Sequence, residues 1–404
     1  MVIGPGGAGV SMTAAAAALN ATGGRRRGAA GVSSLGAPDA DTLLITADRR
    51  SPTAGLLGVF RTPNEPVVVS TRLHLLSLDR LALLEETWAG FTTVLAETIA
   101  RSKVVLPGVG ALADIDAGEL ATLPGVEDFL LLRRIRDEAI SGRWRRIIVD
   151  GSGLGDPFEF LRSASVLSQT LNRLWPRHRR LAMAAERPVL AQLTAAVDAI
   201  DRDCIDIAEL LTDPHSVAVH LVVSGDGRGA QVLPHFLATV DVMGLALRSV
   251  IVNQGTAAGA ADVRTDALRA MVGTDNDVQT AEIPRLAEPI DRAARLRKLA
   301  VALPTPNGRP SGSGAARVTE VTDAGSGDDD HPTYELTWRQ RLPEPDTLRL
   351  GRSGDDLLVT VGGFRHPVRL PSVLRRCIVT DAAWDGTDLT VRFVPDPGLW
   401  PQRR

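Results

Sequence analysis

The larger, N-terminal part of the chain alternates short apolar runs with longer segments of helical periodicity. A continuous apolar run of a few residues is typical of a strand that is buried on both faces. Such runs lie at Met1–Ile3, Thr42–Thr46, Pro66–Thr71, Arg146–Val149, Ser216–Ser224 and Leu247–Val252. Strands that are separated by helices need crossover connections, which produce a mainly parallel sheet with helices on both faces. The predicted fold class of this part is therefore α/β.

The segment from about residue 157 to residue 213 predicts a helical insertion. Its apolar residues recur at steps of three and four, which is the spacing of one face of a long amphipathic helix. They are Leu190, Leu193, Val197, Ile200, Cys204, Ile207 and Leu211. Because Cys204 belongs to this stripe, we expect it to be a small core residue.

Residues 304–332 are rich in Pro, Gly, Ser and Asp and have almost no apolar periodicity, so they predict a flexible linker. The linker divides an N-terminal domain, residues 1–303, from a short C-terminal domain, residues 333–404. Short runs with partial alternation, separated by glycine-containing turns, predict that the C-terminal domain is a small antiparallel β-sandwich. The runs are Tyr334–Arg339, Thr347–Leu350, Leu357–Val361, His366–Leu370, Cys377–Thr380 and Thr387–Phe393.

The composition is that of an ordinary globular protein, with 44% hydrophobic and 23% charged residues among 404. A net charge of −3 gives no electrostatic reason to expect nucleic acid or an anionic membrane as a partner. No apolar run is long enough to span a membrane. The two cysteines, Cys204 and Cys377, are far apart in sequence and suggest neither a disulfide framework nor a zinc site. We therefore expect a soluble protein of the reducing cytoplasm.

The sequence opens with a short strand, a glycine-rich turn and a helix. Glycines let the backbone curl so that successive N–H groups point inward, and the N-terminus of the following helix adds partial positive charge. This order predicts a phosphate-binding loop of the P-loop type. Its candidate binding residues are Gly4, Gly6, Gly7, Gly9, Val10, Ser11 and Met12. Ser11 has the position of the P-loop serine or threonine that caps the helix and ligates magnesium.

A P-loop normally carries a lysine before this serine, and here the position is Val10. The lysine reaches the β- and γ-phosphates and balances their charge during phosphoryl transfer. Loss of such a charge-stabilising group commonly costs about 3–4 kcal/mol of transition-state stabilisation. We therefore expect nucleotide binding to survive the change more readily than hydrolysis.

Two other interpretations of the loop stay open. Gly4, Gly6 and Gly9 also fit the dinucleotide fingerprint G-x-G-x-x-G, which needs an acidic residue about 20 residues further on. The candidate acid, Asp48, lies much further along the chain than that. The second alternative is a tight turn that binds nothing. Only three residues precede the loop, so a true start upstream of Met1 also stays open.

With its later segments added, the chain resembles the ArsA/GET3-like ATPases, the family of arsenite-pump ATPases and of ATPases that target tail-anchored proteins. The loop of that family has the pattern G-K-G-G-x-G-K-S/T, and this chain matches its glycines and its final hydroxyl residue. Both lysines are replaced, by Pro5 and Val10. In the family the first lysine acts across the dimer interface, so its loss bears on catalysis and on nucleotide-clamped dimerisation.

The resemblance extends to the two switch segments of the family. The first, D-P-A-H-S ending in L-G, corresponds to the segment from Asp48 to Gly58, which keeps the aspartate and loses the histidine. The second, D-T-A-P-T-G-H, corresponds to the segment from Asp150 to Asp156. The resemblance implies that Asp48 orients the attacking water, that Asp150 contacts magnesium, and that the Gly155 N–H senses the terminal phosphate. Without the resemblance, Asp48 and Asp150 would be exposed acids at strand ends.

Two later segments also carry the resemblance. The apolar run Val250-Ile251-Val252 ends at Asn253, where the family has an adenine-reading asparagine; without the resemblance Asn253 would be a turn residue at a strand end. Residues 334–395 are similar to the small-heat-shock-like (HSP20-like) β-sandwich that is attached to some bacterial members. The resemblance thus implies ATP or ADP with Mg²⁺ as the ligand, with Ser11 and Asp150 as metal ligands. It also implies a homo-oligomer, or a hetero-oligomer with a paralogous ATPase, and a protein client.

The chain lacks the cysteine sets that hold zinc or metalloid in the family, so we do not expect metalloid transport. Three hypotheses of function follow. The first is a nucleotide-binding protein with weak or absent ATPase activity that acts as a regulator or scaffold. The second is a slow ATPase in which Arg49, Arg50 or a partner's lysine supplies the missing charge. The third is an adaptor that holds apolar client segments on residues 157–213 and on the C-terminal sandwich without using nucleotide.

Overall fold

The computed structural model describes residues 1–23, 41–101, 115–120, 125–186, 191–255, 265–273, 277–321 and 332–400. The chain forms two compact units. The first consists of Met1–Leu211 and Ile283–Leu303, and the second of Thr212–Glu282 and Pro304–Arg404. Each unit is therefore built from segments that are distant in sequence.

The first unit contains a sheet in which most neighbouring strands are parallel. Its described strands are β1 (Val2–Ile3), β2 (Asp41–Thr46), β3 (Pro66–Ser70), β4 (Leu73–Ser77) and β5 (Trp144–Asp150). They lie in the order β3-β4-β2-β5-β1, with β3 antiparallel to β4 and the other pairs parallel. Thr46 of β2 and Val2 of β1 are both register partners of Asp150. The ends of these three strands therefore meet at one edge of the sheet.

Helices connect these strands and cover the sheet. They are α1 (Val10–Gly23), α2 (Thr53–Leu57), α3 (Arg80–Arg101), α4 (Ala117–Leu120), α5 (Val126–Ile140), α6 (Pro157–Leu174), α7 (Arg177–Glu186) and α8 (Ala191–Thr212). The alanine run 14–18 in α1 is buried, and α1 contacts β1, β2, β4 and β5. Because these side chains are small, the helix backbone lies close to the sheet, and the N-terminus of α1 is held at the sheet edge.

A buried polar cluster joins α6, α7 and α8. The side chain of Arg180 is fully buried, and its Nε and Nη2 atoms lie 2.8 Å from Asp198 Oδ1 and 2.7 Å from Asp201 Oδ2. Asp201 also accepts hydrogen bonds from the Ser168 hydroxyl and the Asn172 amide, at 2.7 and 3.1 Å. A buried charge is tolerated only when it is paired and hydrogen-bonded. The cluster therefore fixes the three helices against one another.

The second unit contains the parallel strands β6 (Val219–Ser224) and β7 (Leu247–Asn253), with β8 (Gln279–Ile283) next to β7. Helix α9 (Gly227–Val242) connects β6 to β7, and α10 (Thr265–Val272) follows β7. After β8 the chain returns to the first unit, where α11 (Ala293–Lys298) packs on α1. The side-chain amide of Asn20 in α1 donates to the carbonyl of Val301 at 3.2 Å.

The C-terminal part of the second unit contains two antiparallel sheets. They are built from β9 (Arg317–Val321), β10 (Thr333–Arg339), β11 (Arg349–Ser353), β12 (Asp356–Val361), β13 (Phe364–Arg369), β14 (Cys377–Trp384) and β15 (Asp388–Pro395). The strand orders are β14-β15-β10-β9 and β11-β12-β13. Every second residue of β10, β12 and β15 is buried, as expected for strands with one face on a core.

Buried polar contacts attach the sandwich to α9. The side chain of Asp241 is 2% exposed and accepts hydrogen bonds from Arg341 Nε at 2.7 Å, from Arg341 Nη2 at 2.5 Å and from the Arg341 N–H at 2.9 Å. Next to it, the fully buried amide of Gln340 donates to the carbonyl of Ala238 at 2.9 Å and accepts from Trp338 Nε1 at 3.1 Å. The sandwich thus shares its packing with α9.

The segment predicted to be a flexible linker has a defined conformation at residues 304–321. The hydroxyls of Ser311 and Ser313 donate to the carbonyls of Leu245 and Val242, at 2.8 and 2.7 Å, where α9 ends. Gly312 has a φ of +53°, and a Cβ atom there would collide with the α9 backbone. The linker prediction is corrected for these residues, because glycine and serine here serve close packing and helix capping. Residues 322–331 lie outside the described part.

The predicted fold class is confirmed, since a mainly parallel sheet with helices is followed by a small antiparallel sandwich. Every strand that the sequence predicted overlaps an observed one, whereas β4, β8 and β9 were not predicted. The predicted amphipathic helix corresponds to α8, in which Cys204 is buried. Burial raises the pKa of the Cys204 thiol to about 12, as expected for an unreactive core residue.

Candidate functional site

The glycine loop between β1 and α1 has a conformation that depends on its glycines. Gly7 and Gly9 have φ values of +82° and +92°, where a side chain would strain the backbone. The N–H of Ala8 donates to the carbonyl of Pro5 at 3.1 Å and closes a turn. A Cβ atom at Gly6 or Gly7 would meet no atom within 4 Å. The loop therefore curls around open space, which leaves its backbone accessible to a ligand.

Helix α1 starts directly after the loop and points its N-terminus at that space. The N–H and the hydroxyl of Thr13 both donate to the carbonyl of Gly9 at 2.9 Å, which fixes the junction of loop and helix. The first N–H groups of a helix have no acceptor within the helix, and they carry partial positive charge. The junction therefore has the geometry of an anion site.

The loop forms one wall of a cavity of about 380 Å³. The other walls come from the segments that follow β2 and β5, because the carboxyl ends of neighbouring parallel strands meet at one edge of the sheet. The lining residues are Gly4, Pro5, Gly6, Gly7, Gly9, Val10, Ser11, Met12, Asp48, Pro52, Gly151, Ser152, Gly153 and Gly155. The structure thus brings the predicted loop residues together with Asp48 and Gly155.

Within the described part of the chain, no lysine or arginine lines this cavity. Val10 is 5% exposed, and Pro5 has no N–H group to donate. Arg49 is directed to Asp79, with its Nη2 atom 3.0 Å from Oδ1 and 3.3 Å from Oδ2. The cavity can therefore bind an anion through backbone N–H groups and a helix end, without a cationic side chain.

Asp48 is held by its own turn and by the segment after β5. Its Oδ1 atom accepts the N–H of Arg50 at 2.8 Å. Gly153 has a φ of +68°, and a Cβ atom there would lie 2.5 Å from the Cβ of Asp48. The two switch-like segments therefore touch at these residues, and a side chain at position 153 would displace Asp48.

Asp150 ends β5 directly before the lining residue Gly151, is 1% exposed, and is not itself among the residues that line the cavity. Its Oδ1 atom accepts the N–H of Ser152 at 3.1 Å, whereas its Oδ2 atom makes no hydrogen bond of normal geometry to any described residue. Burial raises the pKa of Asp150, although the nearby hydroxyls of Ser152, Ser11 and Thr46 act to lower it. The Thr46 Oγ1 atom is also buried without a hydrogen-bond partner among the described residues.

The hydroxyl of Ser11 donates to that of Ser152 at 2.7 Å, which links the start of α1 to the segment after β5. Oxygen donors of this kind, with one buried carboxylate oxygen that lacks a partner, fit a Mg²⁺ ion. In the described ranges no group of three or more His, Cys, Asp or Glu side chains could hold a metal. A magnesium ion here would take its remaining ligands from phosphate and water, as is usual for Mg²⁺.

Ser152 and Thr46 were not predicted as site residues. Each is a hydroxyl residue at or just after the carboxyl end of a buried strand. That position was the available signal, but only the fold shows that β2 and β5 are neighbours and bring both hydroxyls to Asp150.

Gly155 precedes α6 and has a φ of +76° with no atom within 4 Å of a Cβ position. The next residue, Asp156, caps α6 by accepting the N–H of Phe158 at 2.8 Å. The backbone of Gly155 therefore faces the cavity at a helix N-terminus. Its predicted role in sensing the terminal phosphate stays a prediction.

Asn253 lies in the second unit, at the end of β7. Its side chain is 8% exposed, and its Oδ1 atom accepts the N–H of Gly255 at 3.1 Å. The side chain is thus held in place by the turn that follows the strand. Its predicted role as an adenine-reading residue stays a prediction.

Among the helices of the described residues, none is both long enough and apolar enough to cross a membrane.

Comparison with known proteins identifies both parts of the chain. The family model of the anion-transporting ATPases (ArsA_ATPase) matches residues 1–283, and that of the HSP20-like domain found in ArsA matches residues 333–393. Protein Rv2184c of Mycobacterium tuberculosis is 32% identical over 437 aligned residues, which cover 99% of this chain and 97% of that protein. Protein SCO2128 of Streptomyces coelicolor is 32% identical over 423 aligned residues, covering 100% and 99%.

A more distant relative comes from Prosthecochloris vibrioformis, and its name places it among arsenical pump-driving ATPases. It is 22% identical over 202 aligned residues, which cover 47% of this chain and 48% of that protein. The two family models match the chain in the order that the resemblance implied, so the resemblance drawn from the sequence is confirmed. The chain belongs to the ArsA-type family of anion-transporting ATPases and carries the HSP20-like domain found in that family.

Proposed function

We propose that this protein binds ATP or ADP with Mg²⁺ at the glycine loop, hydrolyses ATP weakly or not at all, and acts as a regulator or scaffold. One observation carries the proposal: the cavity is lined by the backbone of the glycine loop, by Ser11 and by Asp48, but has no cationic side chain among its described lining residues. Membership of an ATPase family supports nucleotide as the ligand.

The cavity favours nucleotide binding over hydrolysis because hydrolysis needs more positive charge around the phosphates than binding does. A ground-state phosphate can be held by the loop N–H groups and the N-terminus of α1. Phosphoryl transfer also needs cations that balance charge in the transition state. Loss of one such stabilising group raises the activation barrier by about 3–4 kcal/mol. Such a loss slows turnover by a factor of roughly several hundred.

In this proposal each site residue has a defined role. Gly4, Gly6, Gly7, Gly9, Val10, Ser11 and Met12 surround the phosphates. Ser11 and Asp150 hold Mg²⁺, which supplies the charge that the missing lysines would otherwise share. Asp48 faces the terminal phosphate and orients water, and Gly155 senses that phosphate. The protein works in the cytoplasm as a homo-oligomer, or with a paralogous ATPase, on a protein client.

Isothermal titration calorimetry of the full chain with Mg-ATP and Mg-ADP tests the proposal. The loop variant is Gly7→Asp, and Gly363→Asp is its matched control. Both glycines have nearly equal φ values, +82° and +83°, and open space at the Cβ position. Only Gly7 lines the cavity. We expect saturable binding in the wild type and in Gly363→Asp, and none in Gly7→Asp.

Equal binding in all three proteins, or no heat in any, would refute the proposal. Phosphate release in the same samples should stay at the background rate. Turnover that is clearly above background and falls in Asp48→Asn would instead support the slow-ATPase alternative. The position of Arg49, paired with Asp79, does not favour that alternative, because the guanidinium would first have to leave its carboxylate.

A further inference from the structure

Ser152 lies between Ser11 and Asp150 in a chain of hydrogen bonds. The hydroxyl of Ser11 donates to the Ser152 hydroxyl at 2.7 Å, and the Ser152 N–H donates to Asp150 Oδ1 at 3.1 Å. The Ser152 hydroxyl also faces the Asp150 carboxylate closely enough to act on its pKa. Ser152 therefore contacts both residues that are proposed to hold Mg²⁺.

The contact with Ser152 gives the proton of Ser11 an acceptor. A serine hydroxyl that ligates a cation uses an oxygen lone pair, so its proton must be donated elsewhere. Ser152 is an acceptor 2.7 Å from the Ser11 hydroxyl, and a proton donated there leaves both lone pairs of Ser11 for a cation. The Ser152 hydroxyl can in turn donate to the carboxylate of Asp150, whose buried Oδ2 atom has no hydrogen-bond partner of normal geometry among the described residues.

The orientation of Ser11 matters here because few other groups share with the divalent cation the neutralisation of the phosphate charge. No lysine or arginine among the described residues lines the cavity, so Mg²⁺ must balance most of the phosphate charge. A misdirected Ser11 hydroxyl would then weaken the binding of nucleotide and metal together. The same change would have a smaller effect in a site where a lysine shares the charge.

We propose that Ser152 is a positioning residue: it accepts the Ser11 proton, directs the Ser11 oxygen to a divalent cation, and so makes nucleotide affinity depend on that cation. This inference rests on the proposed nucleotide binding. It assigns to Ser152, which lines the cavity, a role that acts through Ser11.

The test is the ratio of ADP affinities measured by calorimetry in Mg²⁺ and in EDTA, with the full chain. Removal of a residue that orients a metal ligand typically costs about 10- to 100-fold in metal affinity. We therefore expect Ser152→Ala to lower ADP affinity about 10- to 100-fold in Mg²⁺ and to leave the EDTA value unchanged. Ser152→Thr keeps a hydroxyl and should restore most of the ratio.

Ser216→Ala is the control, because the Ser216 hydroxyl also hydrogen-bonds to a side chain, that of Asp213 at 2.5 Å, in the second unit. It should leave both affinities unchanged. An equal loss in Mg²⁺ and in EDTA for Ser152→Ala would mean a purely structural role and would overturn the inference. The inference would also be overturned if the ratio of ADP affinities in Mg²⁺ and in EDTA for Ser152→Ala stayed within about twofold of the wild-type ratio.

Two outcomes separate this inference from the proposed function. Wild-type protein that binds ADP equally well in Mg²⁺ and in EDTA overturns the role of Ser152 and leaves nucleotide binding intact. Absence of ADP binding in both buffers, with Gly7→Asp indistinguishable from the wild type, overturns the proposed function and the inference with it.

Discussion

The Asp241→Asn substitution removes one charge from the buried pair that joins α9 to the sandwich. The carboxylate of Asp241 accepts three hydrogen bonds, all from Arg341, and its side chain is 2% exposed. An asparagine whose oxygen takes the position of Oδ2 can still accept two of them, but its NH₂ group would then face the Nη2 donor of the guanidinium. Removing one partner of a buried ion pair costs about 3–5 kcal/mol. Because Arg341 is 18% exposed and can gain some hydration, we expect a loss near the lower limit, about 3 kcal/mol.

Urea unfolding followed by tryptophan fluorescence and circular dichroism measures this loss. The indoles of Trp338 and Trp384 both donate to Gln340, at 3.1 and 2.8 Å, so their emission reports on the attachment. Asp355→Asn is the control, since its pair with Arg369 is exposed on both sides and such pairs contribute about 0–1 kcal/mol. An Asp241→Asn protein as stable as Asp355→Asn would refute the energetic role of the buried pair.

Three further predictions concern charge. Val10→Lys places a cation in the loop and should tighten ATP binding at least about tenfold, or 1.4 kcal/mol. If calorimetry gives Val10→Lys the same ATP affinity as a Val10→Met control, this prediction is wrong. Burial opposes ionisation of Glu138, but hydrogen bonds from Trp144 and Arg134 and the charge of Arg143 hold its pKa below the ordinary 4.5. A carboxylate whose folded pKa is lowered stabilises the fold above pH 4.5, and this contribution is lost as pH falls through the lowered value. The urea midpoint of Glu138→Gln should therefore fall less steeply than that of the wild type as the pH is lowered below 4.5. An unchanged slope of midpoint against pH would contradict this prediction. Arg180→Met should lower the free energy of unfolding by about 3–5 kcal/mol, measured by urea titration with circular dichroism. A loss below about 1 kcal/mol would contradict the stabilising role of the buried polar cluster of α6, α7 and α8.

Much of the fold follows from the sequence because the buried strands are apolar runs between helical segments. The strands that were missed have other patterns. Leu73–Ser77 of β4 lies in an apolar run that continues into α3, and a short run next to a helix cannot be assigned by periodicity alone. Arg317–Val321 of β9 is largely exposed, so only its pairing with β10 identifies it as a strand.

The candidate site was predictable where its residues belong to motifs that occur in a known order along the chain. The loop, Asp48 and Gly155 were found from the order of motifs, and the structure brings them around one cavity. The contact of Ser11 with Ser152 spans 141 positions, and it depends on β1 and β5 being neighbours in the sheet. No local pattern encodes that adjacency.

The return of the chain to the first unit has a consequence for synthesis on the ribosome. Helix α1 needs α11 as a packing partner, and the Asn20 amide needs the carbonyl of Val301. These contacts join segments about 280 residues apart, and closing such long loops slows folding. The glycine loop thus emerges before α11, and the helix behind it stays incompletely covered until residue 301 has left the exit tunnel. We expect this interval to be the period in which the nascent chain depends most on chaperones.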